Sequence, residues 1–143
     1  MAQKVTINIR QAKQSLSSLR ARIQKAIPKA LSRTGEKAKE IIINRTSKGQ
    51  GLNGAFKKYS PDYIDFRKKK GRGTKPDLNF SGRMLSNMDV RRVSTNKVLV
   101  TFKRNEEKKK AQINQKTRPF MGIKTGEVSQ LEIAFLKQFK RYV

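Results

Sequence analysis

The sequence predicts a single α+β domain (residues 1–143) in which a long N-terminal helix and a C-terminal helix pack on an antiparallel sheet. Three observations predict this fold class. Apolar residues recur every three or four positions near both ends of the chain, as in amphipathic helices. Between them, two alternating runs flank a short polar turn, which indicates a β-hairpin. The 143 residues are enough for one hydrophobic core.

The first elements are a short strand and the long helix. The strand is predicted at residues 4–10, where every second residue is apolar, namely Val5, Ile7 and Ile9. The helix is predicted to end near Asn44. Its apolar stripe consists of Ala12, Leu16, Leu19, Ile23, Ile27, Ala30, Thr34, Ala38 and Ile41. Because Pro28 has no amide hydrogen, we expect a kink near Pro28 or two abutting helices.

Glycines and polar residues then dominate residues 46–80, which indicates loops between short elements. A short helix is predicted where Ser60, Pro61 and Asp62 supply a cap, a first-turn proline and an acid that opposes the helix dipole. A run without any acid follows and contains Arg67, Lys68, Lys69, Lys70, Arg72 and Lys75. Such a run does not pack internally, so we expect a mobile basic loop at about residues 66–76.

The last third of the chain contains the hairpin and the final helix. One or two helical turns are predicted at residues 81–88, and a charged stretch occupies residues 106–110. The turn of the hairpin is placed at residues 94–96. The alternating residues of its strands are Met88, Val90, Val98, Val100 and Phe102. The final helix begins near Thr125, and one face carries Val128, Leu131, Phe135, Phe139 and Tyr142.

Composition excludes most enzyme classes. The chain has no Cys and no His, so thiolate and imidazole metal sites, disulfides and Ser-His or Cys nucleophiles lack their residues. The ten carboxylates show no metal-loop spacing, although Asp62 and Asp65 lie one helical turn apart. We therefore assign no catalytic residue, no metal and no cofactor. No apolar run approaches the roughly 20 residues of a bilayer span, so we expect a soluble, unexported intracellular protein without a membrane partner.

Charge points to an anionic partner. Lys and Arg number 35 against 10 Asp and Glu, which gives a formal charge of +25. The excess is spread along the chain and is not confined to a tail. A basic ridge lies opposite the apolar stripe of the long helix and consists of Arg22, Lys25, Lys29 and Arg33. Nucleic-acid phosphates are the usual partner of such an excess. An ordinary solvated polar face is the simpler explanation of the ridge, and the single sign of its charge favours the alternative of an anionic partner.

Four short motifs lie in the middle and at the end of the chain, at residues 44–47, 51–60, 77–85 and 118–122. They resemble the tailed-phage virion morphogenesis (neck and tail-completion) family, and their order and spacing agree with that family over about residues 31–139. The motif positions, to which we assign structural roles, are Arg45, Gly54, Phe56, Tyr59, Ser60, Leu78, Gly82, Met84, Leu85, Arg118, Pro119 and Phe120.

The resemblance implies a non-enzymatic α+β subunit of the phage head-to-tail connection. Such a subunit forms a homo-oligomeric ring of six or twelve copies, contacts neighbouring connector and tail proteins, and surrounds double-stranded DNA in its lumen. It belongs to the virion and is assembled in the cytoplasm of the host bacterium. We expect the basic loop, and secondly the basic ridge, to face the DNA or a partner protein. The alternative is a free, sequence-nonspecific nucleic-acid-binding protein of chromosomal or ribosomal type.

Overall fold

The computed structural model describes residues 8–143 and confirms the mixed helix-and-sheet class, with a long N-terminal helix and a C-terminal helix packed on it. The elements in chain order are α1 (Ile9–Ser47), β1 (Gln50–Gly51), β2 (Gly54–Ala55), α2 (Pro61–Lys69), α3 (Arg83–Ser86), β3 (Met88–Ser94), β4 (Lys97–Phe102), α4 (Asn105–Thr117), a 3-10 turn (Thr125–Glu127) and α5 (Val128–Tyr142). Strands β1 and β2 pair with each other, as do β3 and β4, both antiparallel.

Helix α1 begins earlier than the sequence predicts. The Asn8 side chain caps it and accepts a hydrogen bond from the amide of Gln11 at 3.2 Å. Ile9 and Arg10 therefore belong to the helix, so the predicted strand is wrong at these two residues. Its other part, residues 4–7, lies outside the described residues. The helix has 39 residues, which corresponds to a length of about 58 Å.

Helix α1 passes through Pro28 as one helix, so the alternative of two abutting helices is wrong. Pro28 is itself buried, together with Ala26 and Ala30. The packing of this face holds the chain helical where the proline removes one backbone hydrogen bond. The hydroxyl of Ser32 donates to the carbonyl oxygen of Pro28, one turn earlier, at 3.0 Å.

The two halves of α1 have different surroundings. From Ala26 to Thr46 its apolar face is packed against the rest of the molecule. Residues 9–25, which we call the arm, are exposed except for the half-buried Ile23. Leu16 and Leu19 on the arm are 66% and 39% exposed. The apolar stripe predicted from the sequence is therefore covered only in its second half.

Helix α5 packs antiparallel on the covered half of α1. Its beginning is tied to α1 by an ion pair between Glu127 and Arg45, and its last turn places Tyr142 beside Lys29. The helix therefore ends before it reaches the arm. The predicted C-terminal helix is confirmed, and it packs on α1. Its residues that lie toward α1 are half-buried and include Leu131, Ala134, Phe135 and Phe139.

The β3–β4 hairpin crosses α1 at Gly35. The register pairs Met88 with Phe102 and Ser94 with Lys97, so the predicted strands and turn are confirmed. A Cβ atom built on Gly35 would lie 2.6 Å from Cγ1 of Val90, which is closer than packed atoms approach. A glycine inside this helix lets the hairpin approach the helix backbone.

Helix α4 is an element that the sequence analysis missed, because it treated residues 106–110 only as a charged stretch. The helix has 13 residues and buries Glu107 and Ala111. Together with α3 it closes the main core. The buried members of this core are Ile42, Phe56, Leu78, Met84, Leu85, Met88, Phe102, Ala111 and Phe120.

Candidate nucleic-acid interface

The basic run that follows Ser60 belongs partly to a helix and partly to a loop. The Ser60 hydroxyl accepts from the Tyr63 amide at 3.3 Å and caps α2, as predicted. Since α2 extends to Lys69, residues 66–69 are helical, and the prediction of a loop from residue 66 is wrong for them. The basic side chains of this run that are exposed are Lys68, Lys69, Lys70, Arg72 and Lys75, and we call them the loop cations.

Arg67 is a correction to the predicted interface, because its side chain is only 2% exposed. Its Nε donates to the carbonyl oxygen of Gly73, and its Nη2 donates to that of Asn79 at 3.0 Å. The Asp77 carboxylate lies 3.8 Å from Nη2. The prediction that Arg67 faces DNA or a partner is therefore wrong. Its guanidinium instead holds the loop backbone against α2.

Aromatic rings surround the Arg67 guanidinium. The guanidinium carbon lies 4.9 Å from the centre of the Tyr59 ring and 5.8 Å from that of Phe80. Arg72 also lies over Phe80, at 5.3 Å, and Lys70 over Phe66, at 5.9 Å. Loop cations and rings are thus interleaved. Tyr59 is buried, as expected for a core residue, whereas Phe66 is 44% exposed.

An open cleft of 810 Å³ lies between this aromatic group and α4. Lys57, Lys110 and Arg118 line it together with the Tyr59 ring. Burial raises the pKa of the Tyr59 hydroxyl, although a hydrogen bond from the Leu78 backbone opposes the shift. Glu107 also lines the cleft. One of its carboxylate oxygens pairs with Lys110 at 3.2 Å, and the other has no hydrogen-bond partner in the described part of the chain.

All four residues of the basic ridge are exposed, as the sequence predicts. The Lys29 ammonium lies 5.4 Å from the centre of the Tyr142 ring. A hydrogen bond from the Arg33 side chain lowers the pKa of the Tyr142 hydroxyl. Two of the four ridge cations therefore contact the last turn of α5, and the other two, Arg22 and Lys25, lie on the arm. The apolar period of the final helix includes Tyr142 but does not indicate its contact with the ridge.

The ridge and the loop cations lie at different places along α1. The Lys75 side chain passes beside Gly49, just after the end of α1, where its Cε would lie 3.2 Å from a Cβ on Gly49. Arg33, the nearest ridge residue, lies 16 residues earlier, or about 24 Å along the helix axis. Helices α1 and α2 do not pack extensively on each other. The structure therefore does not combine the two predicted groups into one compact patch.

The ridge residues and the loop cations have no carboxylate partner within residues 8–143. Five ion pairs are present within residues 8–143, and their basic members are Lys37, Lys39, Arg45, Arg67 and Lys110. None is a ridge residue or a loop cation. The positive charge of both groups is thus left to solvent or to an external anion.

The motif residues form a second, structural group, in which Arg45 joins the first motif to the last. Its Nη2 donates to the carbonyl oxygens of Phe120 at 2.6 Å and of Gly122 at 2.9 Å, and its Nη1 pairs with Glu127. Because Arg45 is buried, these acceptors and the ion pair are shielded from water. The end of α1 is thereby fixed to the segment that leads into α5.

Two further side chains connect the remaining motifs. Arg118 donates to the carbonyl oxygens of Lys57 and Lys58 at 2.8 and 2.9 Å, and its guanidinium lies 4.7 Å from the centre of the Tyr59 ring. The Tyr59 hydroxyl accepts from the amide of Leu78 at 3.1 Å. The four motifs, which are separated by up to 75 residues, are therefore linked directly in the fold.

The other motif positions have local structural roles. Gly54 and Gly82 adopt positive φ, and Gly82 precedes α3. Leu78 also has a positive φ of 57°, which is costly for a side chain with a Cβ and is maintained by its burial and its bond to Tyr59. The carbonyl oxygen of Pro119 accepts from the Leu52 amide at 2.9 Å. The members of the set that lie in the core are Phe56, Leu78, Met84, Leu85 and Phe120.

Neither a metal site nor a membrane-spanning helix is present in the described residues. Residues 8–143 contain no group of three or more acidic residues placed to hold a metal ion, and Asp62 and Asp65 are both exposed on α2. No helix in this part of the chain is long and apolar enough to cross a membrane.

Comparison with protein-family models, with curated proteins and with solved structures gives no match to the chain.

Proposed function

We propose that this protein is a structural virion component of the head-to-tail connection of a tailed bacteriophage. It acts as a neck, tail-completion or tail-terminator subunit, and copies of it form a ring around the DNA channel. The role is structural and involves no chemical reaction. The proposal rests on the motif resemblance, and the fold and the charge distribution support it.

The observation that carries the proposal is the direct bonding among the four motifs. Arg45 reaches the last motif, Arg118 reaches the second, and Tyr59 connects the second to the third. Short motifs that match a family by chance have no reason to converge in space. Here they share one core and one hydrogen-bond network, as expected for residues that define a common subunit.

Charge supports DNA as the inner partner. The ridge residues and the loop cations are exposed, and none has an ion-pair partner within residues 8–143. A surface of one sign repels itself unless an anion lies close by. In a closed ring the duplex supplies that anion through sequence-independent phosphate contacts.

Electron microscopy of particles that contain this chain tests the proposal. We expect a ring of six or twelve copies at the junction of head and tail, with basic side chains toward the DNA. A chain that stays monomeric when it is mixed with the neighbouring connector and tail proteins of its phage would contradict the proposal.

A free nucleic-acid-binding protein is the second candidate, and the acid-free segment of residues 8–35 favours it. This segment carries seven basic residues and no Asp or Glu. As a free binder, the monomer should bind duplex DNA or RNA tightly, with an affinity that falls steeply with salt. If the protein forms a ring in the particle and its monomer binds DNA and RNA only weakly, the first candidate is supported and the second is rejected.

A further inference from the structure

The arm carries an uncovered apolar seam. Its apolar residues are spaced alternately by three and four positions, which is the pattern of a helix that packs lengthwise against another element. The residues of this seam are Ile9, Ala12, Leu16, Leu19 and Ile23. Ile9 and Leu16 are 65% and 66% exposed. In the second half of α1 the same stripe is covered, because α5 and the hairpin pack there.

The seam cannot be covered by the body of its own chain. The arm and the packed half of α1 form one continuous helix, so the arm does not fold back. Helix α5 ends at Tyr142, beside Lys29, before the arm begins. No side chain within residues 8–143 buries Leu16 or Ile9. Within the part of the chain that the structure describes, the seam is therefore open to contact with another molecule.

An apolar groove without an occupant lies elsewhere on the same molecule. It is formed by β4, α4 and the segment before α5, and it has a volume of 440 Å³. Leu99, Phe102, Ala111 and Met121 line it, and Lys108 is its one charged lining residue among those described. Leu99 is 47% exposed at the edge of the groove. The groove thus offers an apolar surface to a helix of similar character.

The total accessible surface is larger than that of a compact monomer of the same mass. It is 10646 Å². A compact monomer of 16.4 kDa exposes about 7500 Å². The excess, about 3000 Å², is larger than the roughly 800 Å² that each partner buries in a standard interface. There is therefore enough exposed surface for a stable contact between copies.

We infer that the arm of one copy lies in the β4–α4 groove of a second copy, with its apolar seam against Leu99 and Met121. The contact depends on apolar packing, because the one charged lining residue, Lys108, has the same sign as the flanking cations Lys13 and Arg20 and forms no ion pair with them. It joins two different surfaces, so repetition in one direction produces a ring or an open filament, whereas reciprocal exchange of arms between two copies would give a two-fold dimer. The inference deepens the proposed ring by naming the contact that closes it, but the contact itself requires no DNA.

Cross-linking tests this contact sharply, because the chain has no cysteine. Copies that carry Leu16→Cys are mixed with copies that carry Leu99→Cys and treated with a short thiol-to-thiol cross-linker. The ionic strength is about 0.15 M, where the Debye length is about 8 Å and repulsion between copies is screened. We expect cross-linked pairs that contain one chain of each kind. The matched control, Gln14→Cys with Leu99→Cys, gives no such pair because Gln14 lies on the opposite side of the arm.

Sedimentation gives an independent measurement. The double variant Leu16→Glu with Leu19→Glu should keep its helical circular dichroism, since both residues are exposed, and should self-associate at least tenfold more weakly. The control variant Gln14→Glu with Ser18→Glu adds the same charge on the other side of the arm and should associate like the unmodified chain. Pairs of Leu16→Cys copies alone, or unchanged association of the Leu16→Glu variant, would overturn the inference.

The result is separable from that of the proposed function. Arm-to-groove cross-links in a protein that is absent from the head-to-tail junction would retain the contact and reject the virion role. A junction ring in which the arms lie away from the grooves would retain the role and reject the contact.

Discussion

Arg45 and Arg67 are buried in a chain whose basic residues mostly face solvent. Each guanidinium reaches two backbone carbonyl oxygens and one carboxylate. Those of Arg45 belong to a segment that is distant in sequence, and those of Arg67 belong to the loop that follows α2. Lysine could not reproduce this geometry, because its ammonium is a compact point charge without the planar fork of donors. These two arginines therefore stabilise the fold, and they are not part of the surface that attracts an anion.

Replacement of Arg67 by Met should destabilise the protein by about 3 kcal/mol, because it removes the donor to two carbonyls and leaves Asp77 without its cation. Urea unfolding measures the change. The exposed neighbour Lys68, replaced by Met, serves as the control and should change stability by less than about 0.5 kcal/mol. Equal unfolding midpoints for the two variants would show that Arg67 is a surface residue after all.

The pKa values of two tyrosines should be shifted in opposite directions from the usual value. Burial raises the pKa of Tyr59, and the Arg33 hydrogen bond lowers that of Tyr142. Phenolate absorbance from Tyr142 should therefore appear at lower pH than that from Tyr59, and Tyr→Phe variants would assign the two transitions. Replacement of Arg33 by Ala should move the Tyr142 transition to higher pH, and an unmoved transition would contradict the assigned contact.

The Tyr59 shift also has a consequence for stability. Above about pH 10 the unfolded chain loses the tyrosine proton while the folded chain retains it, so stability falls as the pH rises through this window. The variant Tyr59→Phe should show a smaller loss of stability over the same range. It should also be less stable at neutral pH by about 1 kcal/mol, because the Leu78 amide loses its acceptor.

At the scale of elements, the contact between α1 and the hairpin depends on the missing side chain of Gly35. Alanine is favoured over glycine in a helix by about 1 kcal/mol, so propensity alone predicts that Gly35→Ala stabilises the protein. The 2.6 Å approach of Val90 predicts the opposite sign. We expect the steric effect to dominate.

The variant Gly35→Ala should lower the free energy of unfolding by about 1–3 kcal/mol, as overpacking usually does. The double variant Gly35→Ala with Val90→Ala should recover part of this loss, because the second change removes the clashing methyl groups. If the single variant is more stable than the unmodified chain, the hairpin does not lie as close to α1 as described.

The elements that sequence patterns predicted are those with a regular apolar period. Helix α1, α5 and the hairpin each carry such a period, and each is present. Helix α4 was missed because it buries only Glu107 and Ala111, which gives almost no apolar period against its many Lys and Gln residues. A cue was available, since Glu106 and Glu107 lie in its first turn and oppose the helix dipole.

The interface residues were predicted less well, because exposure depends on tertiary partners. The run of charge around Arg67 is uniform in sequence, and nothing in it distinguishes the one arginine that meets the carbonyls of Gly73 and Asn79. The ridge was predicted correctly as exposed, since its position follows from helix geometry alone. Its contact with Tyr142 depends on how α5 packs, which periodicity does not reveal.

At the scale of the whole molecule, the basic ridge on α1 and the loop cations on and after α2 are two separate groups of cations without an ion-pair partner within residues 8–143. If both contact the same duplex, each should contribute separately to the salt dependence of binding. Counterion release makes the slope of log affinity against log salt fall by about 0.9 for each phosphate contact that is lost.

Replacement of all five loop cations by Ser should leave the fold intact, because their side chains are exposed. It should reduce the magnitude of the salt slope for duplex DNA by up to about 4.5 and lower DNA retention in assembled particles. A charge-preserving variant, with Arg at the three Lys positions of residues 68–70, should keep the slope. An unchanged slope in the Ser variant would mean that these cations are only solvated.

Because α1 is one uninterrupted helix, the arm moves rigidly with the packed half of the helix. It extends about 26 Å beyond the packed half of the helix, so a tilt of the body by about 10° displaces its tip by about 4–5 Å. Orientation therefore cannot change at one end of the molecule without being transmitted to the other. In a closed assembly of identical subunits, such stiffness would make all copies change their inclination together and would favour one diameter over a continuous range of them.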